Sequence, residues 1–200
     1  MEKSNVPPKS SMNSLAGKFL LAMPGMGDPR FHKAVVLVCA HDDNGAMGLV
    51  INNTLPGIGM AALLKQLNIV ADNPAAEDSA LDIPVMNGGP VENARGFILH
   101  SSEFRQADTI RISEDISVTG TIDALRAVAA GNGPKEMIFI LGYSGWTAGQ
   151  LDQEIQDNAW LVFDADPAVI FDTRAEQKWD AVIRKMGIDP AMLSSNMGRA

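Results

Sequence analysis

The sequence is poor in the features that mark secreted and membrane proteins. Its 200 residues include one cysteine, Cys39, so an internal disulfide is impossible and the fold does not depend on an oxidising compartment. The longest apolar run, residues 34–40, is far shorter than the roughly 20 residues that a membrane-spanning helix needs. These two shortages predict a globular cytoplasmic protein that does not enter the membrane.

Basic charge is also scarce. The chain has 16 Lys and Arg residues against 24 Asp and Glu residues, which gives a formal net charge of −8. Binding to nucleic acids or anionic membranes relies on a basic surface that releases counterions, so we expect neither partner. Hydrophobic residues make up 46% of the chain, enough to enclose a core. Residues 1–14 have no apolar centre of the secretory kind, which predicts a disordered tail followed by a single domain over residues 15–200.

The apolar pattern predicts several strands first and a mixture of helices and strands later. Residues 35–39 are apolar at every position, so both faces of their strand should be covered. Asn44-Gly45 between two apolar runs predicts a hairpin, and residues 71–79 predict a loop. This irregular order favours an α+β fold over a doubly wound sheet. The predicted strands are 18–23, 33–41, 46–52, 83–86, 96–100, 137–141 and 160–163, with one or two more within 110–118. The predicted helices are 60–67, 122–130, 148–158 and 175–186.

Two patterns could bind a cofactor or a metal, but each lacks the neighbouring residues that such a site needs. Residues 57–62 read G-x-G-x-x-A, but a nucleotide-binding loop follows its strand directly, whereas residues 53–56 intervene here and predict a flexible entry to the helix. Cys39 and His41 would point to one face of a strand, yet structural zinc takes a second close pair of ligands. We therefore expect no cofactor and no metal, and we expect Cys39 to be buried as a small hydrophobe.

Two glycine-rich segments form the candidate binding site. Gly88-Gly89-Pro90 follows one predicted strand, and residues 142–146, with Tyr143, Ser144 and Trp146, are predicted to turn from a strand into a helix. Glycines beside aromatic rings let the backbone approach a ligand closely, and a helix start offers unpaired N–H groups. A cleft between the two segments is therefore the predicted site.

The helix after the second segment contributes two further candidates. Gln150 and Glu154 are one turn apart and should share a face. Thr147 and Gln150 have the spacing of a capping box, which would make Gln150 a helix cap rather than a ligand contact. The alternative for the whole set is structural, with glycines at tight corners and Trp146 and Trp160 as core anchors.

A catalytic alternative uses Ser144 or His100 with Glu154 as the general base of a hydrolase or transferase. The α/β-hydrolase elbow needs G-x-S-x-G, but Trp146 stands at the last glycine, and all three histidines precede Ser144. A triad in another chain order stays geometrically possible. Without a complete constellation, the sequence favours a non-catalytic protein that binds a small molecule or another protein.

Several separated motifs resemble the YqgE/AlgH family of bacterial proteins. They occur in one order and extend over nearly the whole chain from Gly17. The motifs are GKFLLAMP (17–24), DPRF (28–31), GAMGLVIN (45–52), GGPV (88–91), GFILH (96–100), LGYSGW (141–146), GQL (149–151), EI (154–155) and AWL (159–161).

The resemblance implies an α+β fold in which a branched, strongly curved mixed or antiparallel sheet forms a partial barrel with helices packed outside. It also implies a regulator, for example of exopolysaccharide transcription, although the charge of −8 argues against direct DNA binding. The family brings no catalytic residues. This chain departs from the pattern at Asn53, where Arg is usual, at Asp152, where Glu is usual, and at Arg199, where His is common. The candidate ligand or partner residues are Asn52, Gly88, Gly89, Pro90, Tyr143, Ser144, Trp146, Gln150 and Glu154.

Overall fold

A computed structural model describes residues 14–69 and 83–193. Within these ranges ten strands and five α-helices alternate irregularly. The strands are β1 (Lys18–Ala22), β2 (Val35–Asp42), β3 (Gly45–Val50), β4 (Thr54–Gly59), β5 (Pro84–Asn87), β6 (Val91–Ser101), β7 (Ile110–Arg111), β8 (Ile116–Thr119), β9 (Met137–Thr147) and β10 (Trp160–Asp164). The helices are α1 (Met60–Gln66), α2 (Ile122–Ala129), α3 (Gln150–Gln156), α4 (Pro167–Phe171) and α5 (Lys178–Lys185).

The strands form one branched sheet that curls into a half-barrel. Its main path runs β10-β1-β2-β3-β9-β6-β8-β7, and all pairs along that path are antiparallel. The branch is at β9, where β5 pairs in parallel and carries β4 on its other side. Helices pack against this sheet, so the predicted α+β class and partial barrel are confirmed.

Strand β9 is longer than the sequence predicts. Its first half pairs with β5 and β6, and its second half, Ser144–Thr147, pairs with β3. The predicted turn at residues 142–146 is therefore wrong, because cross-strand pairing keeps this glycine-rich segment extended. Gly142, with φ of +73°, lies at the irregularity in the β6–β9 pairing, between the Gly96–Leu141 pair and the Val91–Tyr143 pair.

Helix α3 begins later than predicted, and only the glutamine half of the predicted capping box forms. Its first residue is Gln150, and its N-cap is Gly149 in the left-handed region, at φ of +71°. Gln150 Oε1 accepts hydrogen bonds from the Thr147 backbone N, as in a capping box, and also from Thr147 Oγ1, so this hydroxyl donates to Gln150 and does not cap the helix. The Gln150 side chain thus ties the end of β9 to α3.

Other local predictions have mixed outcomes. The strand β2, the hairpin turn at Asn44-Gly45 and the helices α1 and α2 are confirmed to within a few residues. The flexible entry predicted before α1 is instead strand β4, and the predicted helix over 175–186 is split into a 3₁₀ turn, Ala175–Gln177, and α5. Helix α4 was not predicted. The predicted loop over 71–79 lies outside the described residues, as does the predicted tail except Ser14.

Both faces of β2 are buried, as predicted, but its end departs from simple alternation. Cys39 lies in the main core with Leu37 and Leu49, and burial raises the pKa of its thiol to about 12. A bulge between Val38 and Ala40 shifts the alternation, so His41 reaches Leu15 N and Asp152 outside that core. The prediction that Cys39 and His41 share one face is therefore wrong.

None of the helices in the described ranges is long and apolar enough to cross a membrane.

Candidate functional site

The Gly88-Gly89-Pro90 loop crosses directly over β3 and β9. Gly88 N donates to Leu141 O at 2.8 Å, and Gly88 O accepts from Val50 N at 3.0 Å and from Ser144 Oγ at 3.2 Å. These three bonds attach the loop to the point where the sheet branches. Ser144 is buried in β9 and its hydroxyl is engaged with the loop.

The glycines at this crossing leave no space between the two segments. A Cβ added to Gly88 would lie 2.3 Å from Gly142 O, and one added to Gly89 would lie 2.4 Å from Tyr143 O. Beyond the loop, Val91 pairs directly with Tyr143. The predicted cleft between these segments is therefore wrong, because the glycines admit a neighbouring strand rather than a ligand. Tyr143 is half-buried and packs edge-on against Phe97, with ring centroids 6.2 Å apart.

The three residues of the catalytic alternative are placed in three different hydrogen-bond networks. Ser144 bonds to Gly88, as described above. His100 is fully buried, with Nδ1 at 2.8 Å from Ser101 O and Nε2 at 2.9 Å from Thr119 Oγ1, and burial lowers the pKa of its imidazole. Glu154 belongs to a third network with two indoles. The structure brings none of these three side chains into hydrogen-bond contact with another.

Glu154 is the shared acceptor of a tryptophan pair. Its Oε2 accepts from Trp146 Nε1 and from Trp160 Nε1, both at 2.8 Å, and its Oε1 accepts from Gln150 Nε2 at 2.9 Å. The two indole rings pack edge-to-face with centroids 6.1 Å apart. This arrangement matches the structural alternative for Trp146 and Trp160 as core anchors, and it adds Glu154 and Gln150 as their hydrogen-bonded support.

An open cleft lies beside the same loop, toward β4. Its volume is about 610 Å³. Three asparagines and one arginine supply its polar side chains, and the remaining side chains are apolar. We call it the asparagine cleft; it is lined by Arg30, Phe31, Val50, Asn53, Leu55, Ile58, Asn87, Gly89, Pro90, Asn93 and Leu141.

Residues 50–53 form one wall of the asparagine cleft, and hydrogen bonds to the protein behind this wall fix its position. Asn52 Oδ1 accepts from Val35 N at 2.8 Å, while its Nδ2 donates to Lys33 O at 2.9 Å. The backbone of Asn53 accepts from Asn87 N at 2.7 Å, which joins the wall to the glycine loop. Asn52, a predicted contact residue, therefore positions the wall and leaves Asn53 to line the cleft.

Lys178 fixes the same segment from the core side. Its Nζ donates to Ile51 O at 3.0 Å and to Ile170 O at 2.7 Å, so α5 is fastened both to the cleft wall and to α4. The side chain is buried, and its acceptors are carbonyls rather than carboxylates. Burial lowers the pKa of this ammonium from 10.5 to about 8.

Lys178 should make the folded protein more stable as the pH rises above about 8, and a neutral residue at this position should not. Below about pH 8 the ammonium is charged in both the folded and the unfolded chain, so the full free-energy cost of burying the charge opposes folding. As pH rises from about 8 toward 10.5, the folded protein releases the proton first, and the neutral amine keeps two hydrogens for its two carbonyls. Relative to Lys178→Met, we expect wild type to gain about 2 kcal/mol in free energy of unfolding between about pH 7.5 and 9.5.

Urea unfolding of both proteins at several pH values measures this difference. Residues common to both chains titrate alike, so the difference isolates Lys178. A constant difference over the whole pH range would show that Lys178 keeps an ordinary pKa in the folded protein.

The outer wall of the asparagine cleft comes from a short turn that carries Arg30 and Phe31. Asp28 caps this turn by accepting from Arg30 N at 3.0 Å, and its carboxylate also pairs with the guanidinium, with Nη2 at 2.6 Å from Oδ2. This hydrogen bond to Arg30 lowers the pKa of Asp28. Phe31 packs edge-on against Trp160, at 5.5 Å between centroids. The local charge of Arg30 is thus largely neutralised.

Of the predicted contact residues, only Gly89 and Pro90 line the asparagine cleft. Arg30, Asn53, Asn87 and Asn93 line it too and were not among the predicted candidates. A signal for three of them was present, since Arg30 lies in the DPRF motif, Asn87 precedes the glycine pair and Asn53 departs from the family pattern. In the described part of the chain, no group of three or more His, Cys, Asp and Glu side chains could hold a metal ion.

Comparison with known proteins identifies the family. The AlgH-like family model matches residues 19–191. A UPF0301 protein of Bradyrhizobium sp. (strain BTAi1) is 50% identical over 189 residues, which cover 93% of this chain and 88% of the relative. A UPF0301 protein of Paracoccus denitrificans is 47% identical over 191 residues, covering 94% of this chain and 98% of the relative.

Two solved structures have folds similar to that of this chain. The solution structure of the AlgH protein from Pseudomonas aeruginosa is similar with a TM-score of 0.76 and 41% identity, covering 96% of this chain and 99% of that one. A crystal structure of a protein from Corynebacterium diphtheriae shares the fold, with a TM-score of 0.66 at 18% identity and 88% coverage of both chains. By the extent of the family match and the identity of its relatives, the chain belongs to the AlgH-like family.

Proposed function

We propose that this protein is a non-catalytic binding protein of the cytoplasm, with a regulatory role, and that its ligand is a small polar molecule held in the asparagine cleft. The observation that carries the proposal is the cleft itself, whose volume of about 610 Å³ falls within the roughly 300–1,000 Å³ of small-molecule sites. Its polar side chains are amides and a guanidinium, groups that bind a ligand without transferring protons to it.

The chemistry of the lining restricts the ligand. An asparagine amide carries two N–H donors and an oxygen acceptor, so Asn53 and Asn93 suit a molecule with both kinds of group. The Asn87 oxygen already accepts from Gly89 N at 3.2 Å, which leaves the Asn87 NH₂ group as its donor to a ligand. Arg30 is paired with Asp28, so the cleft carries little net charge. An uncharged or zwitterionic molecule with carbonyl and N–H groups, such as a carboxamide, fits these partners.

The wall is organised before any ligand arrives. Asn52, Lys178 and the backbone bond between Asn87 and Asn53 hold residues 51–53 in place. Because these groups are already fixed, a ligand does not have to order them, and less of the interaction energy is lost on binding. This prior order supports a binding role for the cleft.

Asn53→Ala and Asn93→Ala should each weaken binding about tenfold, since each removes hydrogen bonds worth about 1–1.5 kcal/mol. A panel of simple carboxamides, amino-acid amides and dipeptides is titrated into ¹⁵N-labelled protein. The side-chain amide signals of the cleft asparagines should shift on binding, and both variants should require higher concentrations.

Asn44→Ala is the matched control, because Asn44 is an exposed asparagine in the β2–β3 turn, outside the cleft lining. It should bind like wild type. If no member of the panel shifts the cleft asparagines, or if the control loses as much affinity as the cleft variants, the proposal fails.

A further inference from the structure

A second, smaller cleft adjoins the asparagine cleft. Its volume is about 170 Å³, and most of its side chains are apolar. We call it the apolar cleft; it is lined by Leu63, Leu67, Ala94, Gly96, Ile98, Thr119, Gly120, Thr121, Ile122, Leu125, Phe139 and Leu141.

The two clefts meet on β6 and β9. Leu141 lines both, and the consecutive residues Asn93 and Ala94 line one each. The side chain of Leu141 lies beside Gly96, where a Cβ would be 3.8 Å from Leu141 Cδ2. Leu141 is therefore the place where the two clefts adjoin.

The rim of the apolar cleft exposes large apolar side chains. Leu67, at the end of α1, is 42% exposed, and Ile122, at the start of α2, is 52% exposed. On the side of the asparagine cleft, Ile58 is also 42% exposed. Large apolar side chains gathered around a concavity mark a binding surface more often than isolated exposed ones do.

From this juxtaposition we propose that the ligand is amphipathic, with a polar amide head in the asparagine cleft and a short acyl chain in the apolar cleft. The inference rests on the proposed function, because the head group occupies the cleft described there. An acyl chain suits the second cleft because its lining offers mainly aliphatic contact from Leu63, Leu67, Ile98, Ile122 and Leu125. The small volume limits the chain to a few carbons.

A chain-length series tests the proposal. N-acetylglycinamide supplies the head alone, and its butanoyl, hexanoyl and octanoyl analogues extend the chain. Each methylene that enters the apolar cleft should improve affinity about fourfold, and the gain should stop once the cleft is full. The signals of the cleft asparagines should shift with every member of the series.

Two charge variants locate the chain. Leu67→Lys places a cation at the end of α1, and Ile122→Glu places an anion in the first turn of α2, so both charges suit the helix dipoles and the fold should persist. Each variant should abolish the gain with chain length while binding of N-acetylglycinamide stays unchanged. Ile110→Glu is the control, because Ile110 is 59% exposed on β7 and lines neither cleft.

The outcomes separate the two proposals. Binding of the head with no dependence on chain length overturns the acyl inference and leaves the proposed function standing. Failure of the whole series to shift the asparagine signals overturns both for this ligand class. Chain-dependent binding that survives Leu67→Lys and Ile122→Glu also overturns the inference, since the chain then lies elsewhere.

Discussion

Gly89→Ala is expected to destabilise the protein by about 4 kcal/mol or more, enough to lower the melting temperature by roughly 10 °C. Two causes combine. The new methyl group would lie 2.4 Å from Tyr143 O and from Ser144 Oγ, and the backbone of Gly89 has φ of +146°, which a side chain rarely adopts. Because Tyr143 O belongs to the backbone of β9, a smaller residue at Ser144 would not relieve the clash.

Two other glycines separate these causes. Gly25→Ala should be nearly neutral, because the added Cβ meets nothing within 4 Å and no positive φ is required. Gly131→Ala has the same open space but a φ of +78°, so it should cost only about 1 kcal/mol of backbone strain. Urea unfolding followed by circular dichroism measures all three. A loss for Gly89→Ala no larger than that for Gly131→Ala would show that the loop can shift away from β9.

The close contact at Gly89 brings together motifs that lie far apart in the sequence. Residues 45–52 form β3 and its exit, residues 88–91 form the crossing loop, and residues 141–146 lie in the second half of β9. All three meet where the sheet branches, through the bonds of Gly88 to Val50, Leu141 and Ser144. The motifs therefore specify a close crossing of backbone segments, and the asparagine cleft opens at the edge of that crossing.

Elements with strong local signals could be predicted from the sequence. The uniformly apolar run 35–39 has one interpretation, a strand covered on both faces, and Asn44-Gly45 selects a hairpin turn. The extension of β9 through residues 142–146 could not be predicted, because glycines usually indicate a turn. Pairing of Tyr143 with β6, and of Ser144 to Trp146 with β3 more than ninety residues earlier in the chain, keeps that segment extended. The bulge that separates Cys39 from His41 is likewise a property of strand pairing.

The candidate site was predicted only at one edge. Gly89 and Pro90 line the asparagine cleft, whereas residues 143–154 belong to the strand crossing and to the tryptophan pair. A glycine next to an aromatic residue looks the same in sequence whether the backbone approaches a ligand or a neighbouring strand. Asn53, Asn87 and Asn93 carry little signal individually. They share one cleft only because Asn53, directly before β4, is brought beside Asn87 on β5 and Asn93 on β6.

Glu154→Ala has the second largest expected effect, a loss of about 3 kcal/mol in free energy of unfolding. Trp146 and Trp160 are only 7% and 3% exposed, and both indole N–H groups donate to the same Glu154 oxygen. Removing that oxygen leaves two buried donors without their acceptor, at about 1–3 kcal/mol each. Glu154→Gln keeps an oxygen for the indoles and should lose only about 1 kcal/mol. Circular dichroism should follow the unfolding, because tryptophan fluorescence will itself change.

The pair of variants also distinguishes a structural from a catalytic Glu154. A general base needs its carboxylate, so Gln would be as damaging to turnover as Ala while stability changed little. A shared acceptor needs only an oxygen, so Gln should preserve most of the stability that Ala removes. Glu114→Ala, at an exposed glutamate, should fall within about 0.5 kcal/mol of wild type. The double variant Glu154→Ala with Trp146→Phe should lose less free energy of unfolding than the sum of the two single variants. In the double variant only one indole N–H is left without an acceptor, whereas Glu154→Ala alone leaves two.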